Sequence, residues 1–342
     1  MKVLVTGATG FLGSHLCRQL IRDGHEVTVL RRSTSNNNAL SDLNLIHEVG
    51  DVTDLESVKR AVKGNEIVVH TAAHLAHWGF HKETQFEVNA QGTKNVVEAC
   101  RQFGIRRLLH VSSVATIGIP ERHQQLARED FTFNLENSPL TYHISKKRAE
   151  EIVLAEVDLG LDAVIVNPSS FWGPFEKEYR GAAFALMAKQ MAIVPYFTGG
   201  MCVAHVLDVV EGIVAAIEKG KTGQRYILGG DNLPYRSIVE MGAQKLGLQR
   251  KFVPIPNLLT WLAAMTLEPL SRITKRQPRI THAVHYCASR FAYYDSSKAK
   301  NELGYSPRDF NDLLDECVSF TELRGKAESN PPLSREGKAV QN

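Results

Sequence analysis

Short β-branched runs alternate with helix-patterned segments through the first half of the chain, and this alternation constrains the fold more than any other feature. Apolar runs that end at a polar residue or a glycine predict buried strands at 2–7, 26–32, 66–73, 107–113 and 162–168. Segments with apolar residues at helical spacing lie between them, for example 15–24 and 92–104. Repeated strand–helix units predict an α/β fold in which helices cover both faces of a doubly wound parallel sheet.

This alternation becomes less regular after about residue 170. Residues 169–324 are expected to form mainly a smaller, mainly helical substrate-binding domain over the carboxyl edge of the sheet of residues 1–168. Part of 202–230, which includes a strand-like run, is expected to return to the first domain. Residues 325–342 contain no aromatic residue and are predicted to be a disordered tail.

Composition limits the class of protein. A length of 342 residues suggests two closely joined units, and a net charge of +3 gives no reason to expect nucleic-acid binding. The five cysteines are odd in number and show no CxxC spacing, which favours free thiols in a reducing compartment. The first apolar run passes directly into glycines, as a strand does and a signal peptide does not, so we expect a cytoplasmic protein.

The sequence TGATGFLG lies between the first strand and the first helix. Glycines at 7, 10 and 13 would permit a tight turn, let the backbone approach a pyrophosphate, and allow close contact between helix and sheet. The helix N-terminus would then offer free N–H groups to the phosphates. The alternative is a purely structural turn. The cofactor-binding residues expected in this loop are Gly7, Thr9, Gly10, Phe11, Leu12 and Gly13.

The loop resembles that of the extended short-chain dehydrogenase/reductase superfamily, because its glycines follow the pattern TGxxGxxG and not the G-x-G-x-x-G of many dehydrogenases. The segments 88–96, 166–174, 203–210 and 294–308 carry further resemblance, which covers nearly everything before the tail. The resemblance implies a Rossmann-type domain that binds a nicotinamide dinucleotide, together with a smaller substrate domain.

The end of the second strand indicates which dinucleotide binds. Arg31 and Arg32 stand where a carboxylate would bind the ribose hydroxyls of NAD. Guanidinium groups can form charge-assisted hydrogen bonds to a 2′-phosphate, so the sequence favours NADP(H). Binding of NAD(H), with two solvated arginines at a strand end, is the alternative.

The family resemblance implies further cofactor contacts. Asp51 and Val52 would lie at the adenine, and Ala72 and Ala73 beside the phosphates and ribose. Asn89 would order the site, with a helix N-cap as an equal alternative. The residues expected near the nicotinamide are Pro168, Ser169 and Ser170.

Tyr142 and Lys146 are four positions apart in a predicted helix, so both side chains lie on one face. A nearby ammonium lowers the pKa of a phenol, which makes Tyr142 a candidate proton donor, and Lys146 can also bind the nicotinamide ribose. Ser113 is preferred over Ser112 as the hydroxyl that orients the substrate oxygen, because it matches the family position. The alternative for the pair is two solvated side chains on a helix surface.

The predicted activity is NADP-dependent transfer of hydride to or from a carbonyl or secondary alcohol. The segments around residues 112–120, 166–174 and 224–233 look closest to dihydroflavonol-reductase-like proteins, 3β-hydroxysteroid dehydrogenases and hopanoid-associated sugar epimerases. A sugar-nucleotide epimerase or dehydratase is therefore the main alternative. A non-catalytic NADP-binding regulator is less favoured, since such proteins usually lose the tyrosine or the lysine.

A fairly hydrophobic small molecule is the expected substrate. The residues predicted to line its pocket are His74, His77, Trp78, Phe171 and Trp172. His74, His77 and His81 have no interleaved carboxylate or cysteine, so no metal is expected. The apolar stretch 255–276, which ends beside basic residues, predicts a helix that covers the substrate, with peripheral membrane contact as a second hypothesis. The resemblance also implies a homodimer formed through two helices of the first domain.

Overall fold

The computed structural model describes residues 1–75, 82–122, 125–174, 180–274, 278 and 280–329. Its centre is a sheet of seven parallel strands in the order β10-β6-β5-β4-β1-β2-β3. These strands are β1 Lys2–Thr6, β2 Glu26–Arg31, β3 Ile46–Val49, β4 Ile67–His70, β5 Arg107–Val111, β6 Ala163–Pro168 and β10 Arg225–Leu228. The order reverses between β1 and β4, and ligands of doubly wound sheets bind at such a point, beyond the carboxyl ends of the strands.

Alternate residues of each strand belong to two different cores. Val3 and Val5 of β1 pack with one group of helices, whereas Leu4 between them packs with the other. The first group comprises α1 Phe11–Arg22, α7 Val206–Lys219 and α11 Ser297–Leu303, and the second comprises α2 Leu55–Val62, α4 Gly92–Gln102 and α5 Thr141–Val157. Both faces of the sheet are covered, which is why its strands are continuous apolar runs. The predicted doubly wound α/β fold is confirmed.

The second half combines helices with two small sheets. In one, β9 Gly200–His205 pairs with β7 Ser170–Trp172, β11 Asp231–Pro234 and β13 Phe291–Ala292, and in the other β8 Ile193–Tyr196 pairs with β12 Lys251–Pro254. The remaining helices are α3 Lys82–Phe86, α6 Arg180–Gln190, α8 Tyr235–Lys245, α9 Asn257–Thr274, α10 His282–Ala288 and α12 Phe310–Ser329. Helix α12 therefore includes the first residues of the segment that the sequence predicts to be a tail. Within the described ranges, no helix is long and apolar enough to cross a membrane.

Candidate active site

The glycine loop between β1 and α1 forms a turn in which two of the glycines have no space for a side chain. Gly7 has a φ of 72°, and a Cβ there would lie 2.7 Å from the backbone nitrogen of Ala72. At Gly13 a Cβ would overlap the carbonyl oxygen of Gly7, so this glycine lets α1 begin directly against the turn. The turn is closed by a hydrogen bond of 3.0 Å from the Gly10 N–H to the Gly7 carbonyl. This geometry brings the N-terminus of α1 to the switch point of the sheet.

A cavity of about 300 Å³ lies at this switch point, where β1, β2 and β4 end. The predicted cofactor residues that line it are Gly7, Thr9, Gly10, Arg31, Arg32, Asp51, Val52, Ala72 and Ala73. The lining also includes Leu30, Ser35, Gly50, Thr71, His74 and Val88, of which the sequence analysis named only His74, as a substrate residue. Leu12 does not line the cavity, because its side chain is buried in the core. Phe11 instead packs against Phe171, with 6.1 Å between the ring centroids.

The arginines at the end of β2 differ in their surroundings. Arg31 is half-buried, and its Nε donates a hydrogen bond of 3.2 Å to Nδ1 of His47 on the neighbouring strand. Arg32 is exposed to solvent. The Asp51 carboxylate, just after the neighbouring strand β3, accepts hydrogen bonds from the backbone N–H and the hydroxyl of Thr53, at 3.0 and 2.9 Å. The lining of the cavity thus includes two arginines and an oriented carboxylate.

Helix α5 carries the predicted tyrosine and lysine. Lys146 is only 1% exposed, and its ammonium donates a hydrogen bond of 2.9 Å to the carbonyl of Val111 at the end of β5. Burial lowers the pKa of Lys146 to about 8, and the nearby Glu150 opposes that shift. Tyr142, one helical turn earlier, is half-buried and lies edge-on to the His143 ring, with 5.9 Å between the centroids. The hydrogen bond of Lys146 therefore holds this part of α5 against the end of β5.

The two serines after β5 have different environments. Ser112 is 6% exposed and donates a hydrogen bond of 2.7 Å to the Glu150 carboxylate. Ser113 is half-buried, and its Oγ accepts a hydrogen bond of 3.2 Å from the Ala115 N–H. Because the Ser112 hydroxyl is committed to an internal carboxylate, Ser113 is better placed to contact a substrate. This burial pattern supports the sequence-based preference for Ser113, whose catalytic role stays a prediction.

A buried carboxylate that sequence reasoning did not identify joins these elements. Glu150 is fully buried and forms a salt bridge of 2.8 Å with Arg225 of β10. Its second carboxylate oxygen accepts hydrogen bonds from Ser112, Thr116 and Asn167, at 2.7, 2.7 and 3.0 Å. Asn167 also donates a hydrogen bond of 3.1 Å to the Ser113 carbonyl. The spacing of Glu150, four residues after Lys146, is the one sequence signal that could have indicated its place on the same helix face.

Asn89 connects the loop after β4 to α5. Its side-chain oxygen accepts a hydrogen bond of 2.7 Å from the His74 N–H, and its amide donates one of 2.9 Å to the Ser145 hydroxyl. It lies within the π-helical turn Glu87–Gln91, a form of helix that is frequent at functional sites. The N-cap position of α4 is Gln91. Asn89 is therefore not the N-cap of that helix. Its contacts with His74 and Ser145 agree with the other expectation, that Asn89 orders the site.

The residues after β6 divide between the site region and the core. Ser169 is buried and donates a hydrogen bond of 3.3 Å to the Ser170 carbonyl. Trp172 is only 1% exposed and its ring packs on Phe310, so we assign Trp172 to the core rather than to a substrate pocket. Of the remaining predicted substrate residues, His77 and Trp78 lie outside the described ranges, as does His81. Among the residues that are described, no group of three metal-ligating side chains occurs.

Comparison with known proteins identifies the family. The model of the NAD dependent epimerase/dehydratase family matches residues 3–229. The chain belongs to this family. It is 32% identical, over 94% of both chains, to a Synechocystis protein provisionally named dihydroflavonol 4-reductase. It is 31% identical to sterol demethylase protein B of Methylococcus capsulatus, over 95% of this chain and 99% of the relative.

Solved structures share the fold over almost the whole chain. The crystal structure of gox2253 superimposes with a TM-score of 0.80 at 32% identity, over 95% of this chain and 98% of that one. The UDP-glucose 4-epimerase of Thermus thermophilus, solved in complex with NAD, has a TM-score of 0.73 at 23% identity, over 94% and 99% of the two chains. These structures show the fold, and the family match makes the chain a member of a nicotinamide-dinucleotide-dependent enzyme family whose named members include reductases.

Proposed function

We propose that the protein is an NADP(H)-dependent oxidoreductase that reduces a ketone of a fairly hydrophobic small molecule, or oxidises the corresponding secondary alcohol. The observation that carries this proposal is the hydrogen bond from Lys146 to the Val111 carbonyl. It holds the tyrosine-bearing turn of α5 at the end of β5, where Ser113 follows two residues later. Tyr142 and Lys146 on α5 and Ser113 after β5 therefore provide a proton donor, a cation and a hydroxyl where these two elements meet at the carboxyl edge of the sheet.

In the proposed reaction, the nicotinamide supplies or accepts the hydride when the cofactor is bound. Tyr142 donates a proton from its phenol to the substrate oxygen, and Ser113 donates a hydrogen bond to the same oxygen. The Lys146 ammonium stabilises the phenolate that Tyr142 becomes, since a positive charge nearby favours the charged form of a phenol. Preorganised donors of this kind stabilise negative charge as it develops on the oxygen.

Arg31 and Arg32 support the choice of NADP(H) over NAD(H). Both line the cavity at the end of β2, and Arg31 is held in place by His47. Neither residue could accept hydrogen bonds from ribose hydroxyls as a carboxylate does, whereas both can donate to a 2′-phosphate. The proposal therefore expects tighter binding of NADPH than of NADH.

The names of two relatives support a hydrophobic substrate. One names a dihydroflavonol and the other a sterol, and both molecules have a multi-ring skeleton made mainly of carbon. Phe171 of this chain, which stacks on Phe11 close to the glycine turn, offers a half-buried aromatic surface in the same region. We expect an aromatic or polycyclic ketone to bind better than a sugar nucleotide.

The test is NADPH oxidation with a panel of oxosteroids, dihydroflavonols, long-chain oxoacids and sugar nucleotides. For whichever ketone is reduced, Tyr142→Phe should lower kcat by about 10²- to 10⁴-fold, because it removes the proton donor. The Kd for NADPH, measured by its fluorescence, should stay within about twofold. Tyr305→Phe is a matched control, since its buried hydroxyl has no hydrogen-bond partner among the residues that the structure describes.

Two results would contradict this function. Equal turnover by wild type and Tyr142→Phe would rule out the proposed acid. Conversion of a sugar nucleotide without net consumption of NADPH would favour an epimerase, the alternative that the family name contains.

A further inference from the structure

Helix α9 exposes its large apolar side chains to solvent. Eight of the exposed large apolar side chains in the described part of the chain belong to this one helix of 18 residues. They are Leu258, Leu259, Trp261, Leu262, Met265, Leu267, Leu270 and Ile273, with exposed fractions from 37% to 80%. Contiguous apolar surface of this extent is unusual on a soluble protein and marks a binding surface.

The buried side of α9 consists of small side chains, two of which carry a hydroxyl group. Thr260, Ala264 and Ser271 are exposed by 1%, 0% and 2%, so they form the narrow stripe through which the helix packs. A surface helix normally has the opposite arrangement, with its large apolar residues toward the core. The inverted arrangement means that packing against the rest of the protein does not explain the leucines of α9.

Charge along this segment is also unevenly distributed. Glu268 is the only charged residue from 257 to 271 in the sequence, and it is half-buried beside His282, at 2.6 Å from its Nδ1. The sequence from 272 to 279, in contrast, contains Arg272, Lys275, Arg276 and Arg279 and no acid. An apolar helix followed in the sequence by a group of cations combines the two features by which interfacial helices recognise anionic lipid.

We propose that α9 binds the surface of an anionic lipid bilayer, lying in the plane of the interface with its leucines among the acyl chains. At about 100° per residue, the exposed apolar side chains spread over roughly 240° around the helix. A second protein would cover mainly one side of such a protruding helix, whereas lipid can surround it. The expected homodimer uses two helices of the first domain and leaves α9 free.

The position of α9 relative to the candidate active site gives this contact a functional consequence. The Thr260 hydroxyl lies 2.8 Å from Nδ1 of His285 on α10, and Tyr286 and Cys287 of α10 pack in one cluster with Leu140. Leu140 immediately precedes α5, two residues before Tyr142. Bilayer contact through α9 would thus bring the start of α5, and with it Tyr142, toward the membrane, from which a lipid-soluble ketone could bind. This last consequence rests on the proposed function, whereas the membrane contact does not.

The experiment measures flotation of the full chain with vesicles of phosphatidylcholine alone and of phosphatidylcholine with phosphatidylglycerol. We expect binding to the anionic vesicles that weakens with added salt and falls about tenfold or more in the double variant Leu262→Glu, Met265→Glu. Leu159→Glu is the matched control, because Leu159 is 69% exposed on another part of the surface. Lipids with brominated acyl chains should quench the tryptophan fluorescence of wild type. The quenched component should be absent in Trp261→Phe.

The proposal is overturned if wild type does not float with anionic vesicles, or if the double variant floats as well as wild type. It is also overturned if the double variant changes the oligomeric state in light scattering while neither protein binds vesicles, since α9 would then contact a second copy. The circular dichroism spectrum and the Tm of the double variant should equal those of wild type, which shows that the fold is intact. None of these results depends on ketone reduction, so failure of the proposed function would be recognised separately.

Discussion

Replacement of Glu150 by glutamine tests whether the buried carboxylate holds the site elements together. The carboxylate is fully buried and pairs at 2.8 Å with Arg225, whose side chain is 19% exposed. The substitution keeps the shape but leaves the guanidinium without its counter-charge. Loss of one partner of a buried pair typically costs about 3–5 kcal/mol. Because glutamine can still accept one hydrogen bond, we expect a loss near the lower end, about 3 kcal/mol.

Thermal unfolding followed by circular dichroism measures this effect. At roughly 2–3 °C per kcal/mol for a protein of this size, Tm should fall by about 6–9 °C. Glu151→Gln is the matched control on the same helix, since its exposed carboxylate lies 3.4 Å from Arg148 and 4.0 Å from Lys147. Exposed pairs contribute about 0–1 kcal/mol, so this variant should change Tm by no more than about 3 °C.

A double-mutant cycle separates the charge pair from the other contacts of Glu150. Combining Glu150→Gln with Arg225→Met should cost less than the sum of the two single changes, because the second substitution removes the unpaired cation. A loss of less than about 1 kcal/mol in Glu150→Gln, or strict additivity in the cycle, would show that the pair does not hold these elements together.

Two further predictions concern the cofactor wall and the buried lysine. Arg31→Ala should raise the Kd for NADPH about 10- to 100-fold, since it removes a charge-assisted hydrogen bond to the 2′-phosphate, and should leave the Kd for NADH almost unchanged. Fluorescence titration measures both constants. An equal loss of affinity for the two cofactors would refute the role of Arg31 in binding the 2′-phosphate. Burial lowers the pKa of Lys146 in the folded protein from 10.5 to about 8. Below pH 8 the buried ammonium therefore lowers the free energy of unfolding by about 3 kcal/mol, and this loss disappears as pH rises from 8 to 10.5. Without cofactor, the free energy of unfolding of Lys146→Met should therefore exceed that of wild type. The difference should be largest at neutral pH and should vanish toward pH 10.5. A difference that does not change with pH would contradict the lowered pKa.

Features that depend on near neighbours in the chain were predictable. The strands β1, β2, β4, β5 and β6 form where apolar runs end at polar residues or glycine. The turn at Gly7 and Gly13 follows from their spacing, because only residues without a side chain fit there. Tyr142 and Lys146 share a helix face for the same local reason.

Contacts between distant segments were not predictable in this way. Glu150 and Arg225 are 75 positions apart, and their pairing depends on β10 being added to the edge of the sheet beside β6. Burial separated Ser113 from Ser112, although the two are adjacent and chemically identical. Trp172 was expected in a pocket, but the second half of the chain encloses it with Phe310.

The sequence by itself determined the parallel sheet, the glycine turn and the spacing of the tyrosine and lysine, because each depends on periodicity or on steric limits within a few residues. Only the tertiary structure decided which serine is accessible, how Glu150 joins two strands to α5, and which side of α9 faces solvent. Hydrophobicity shows that a helix has apolar residues, but their exposure depends on what the rest of the chain leaves uncovered. For that reason the sequence offered membrane contact of this segment only as a second hypothesis, and the exposed leucines of α9 that support it became visible in the folded protein.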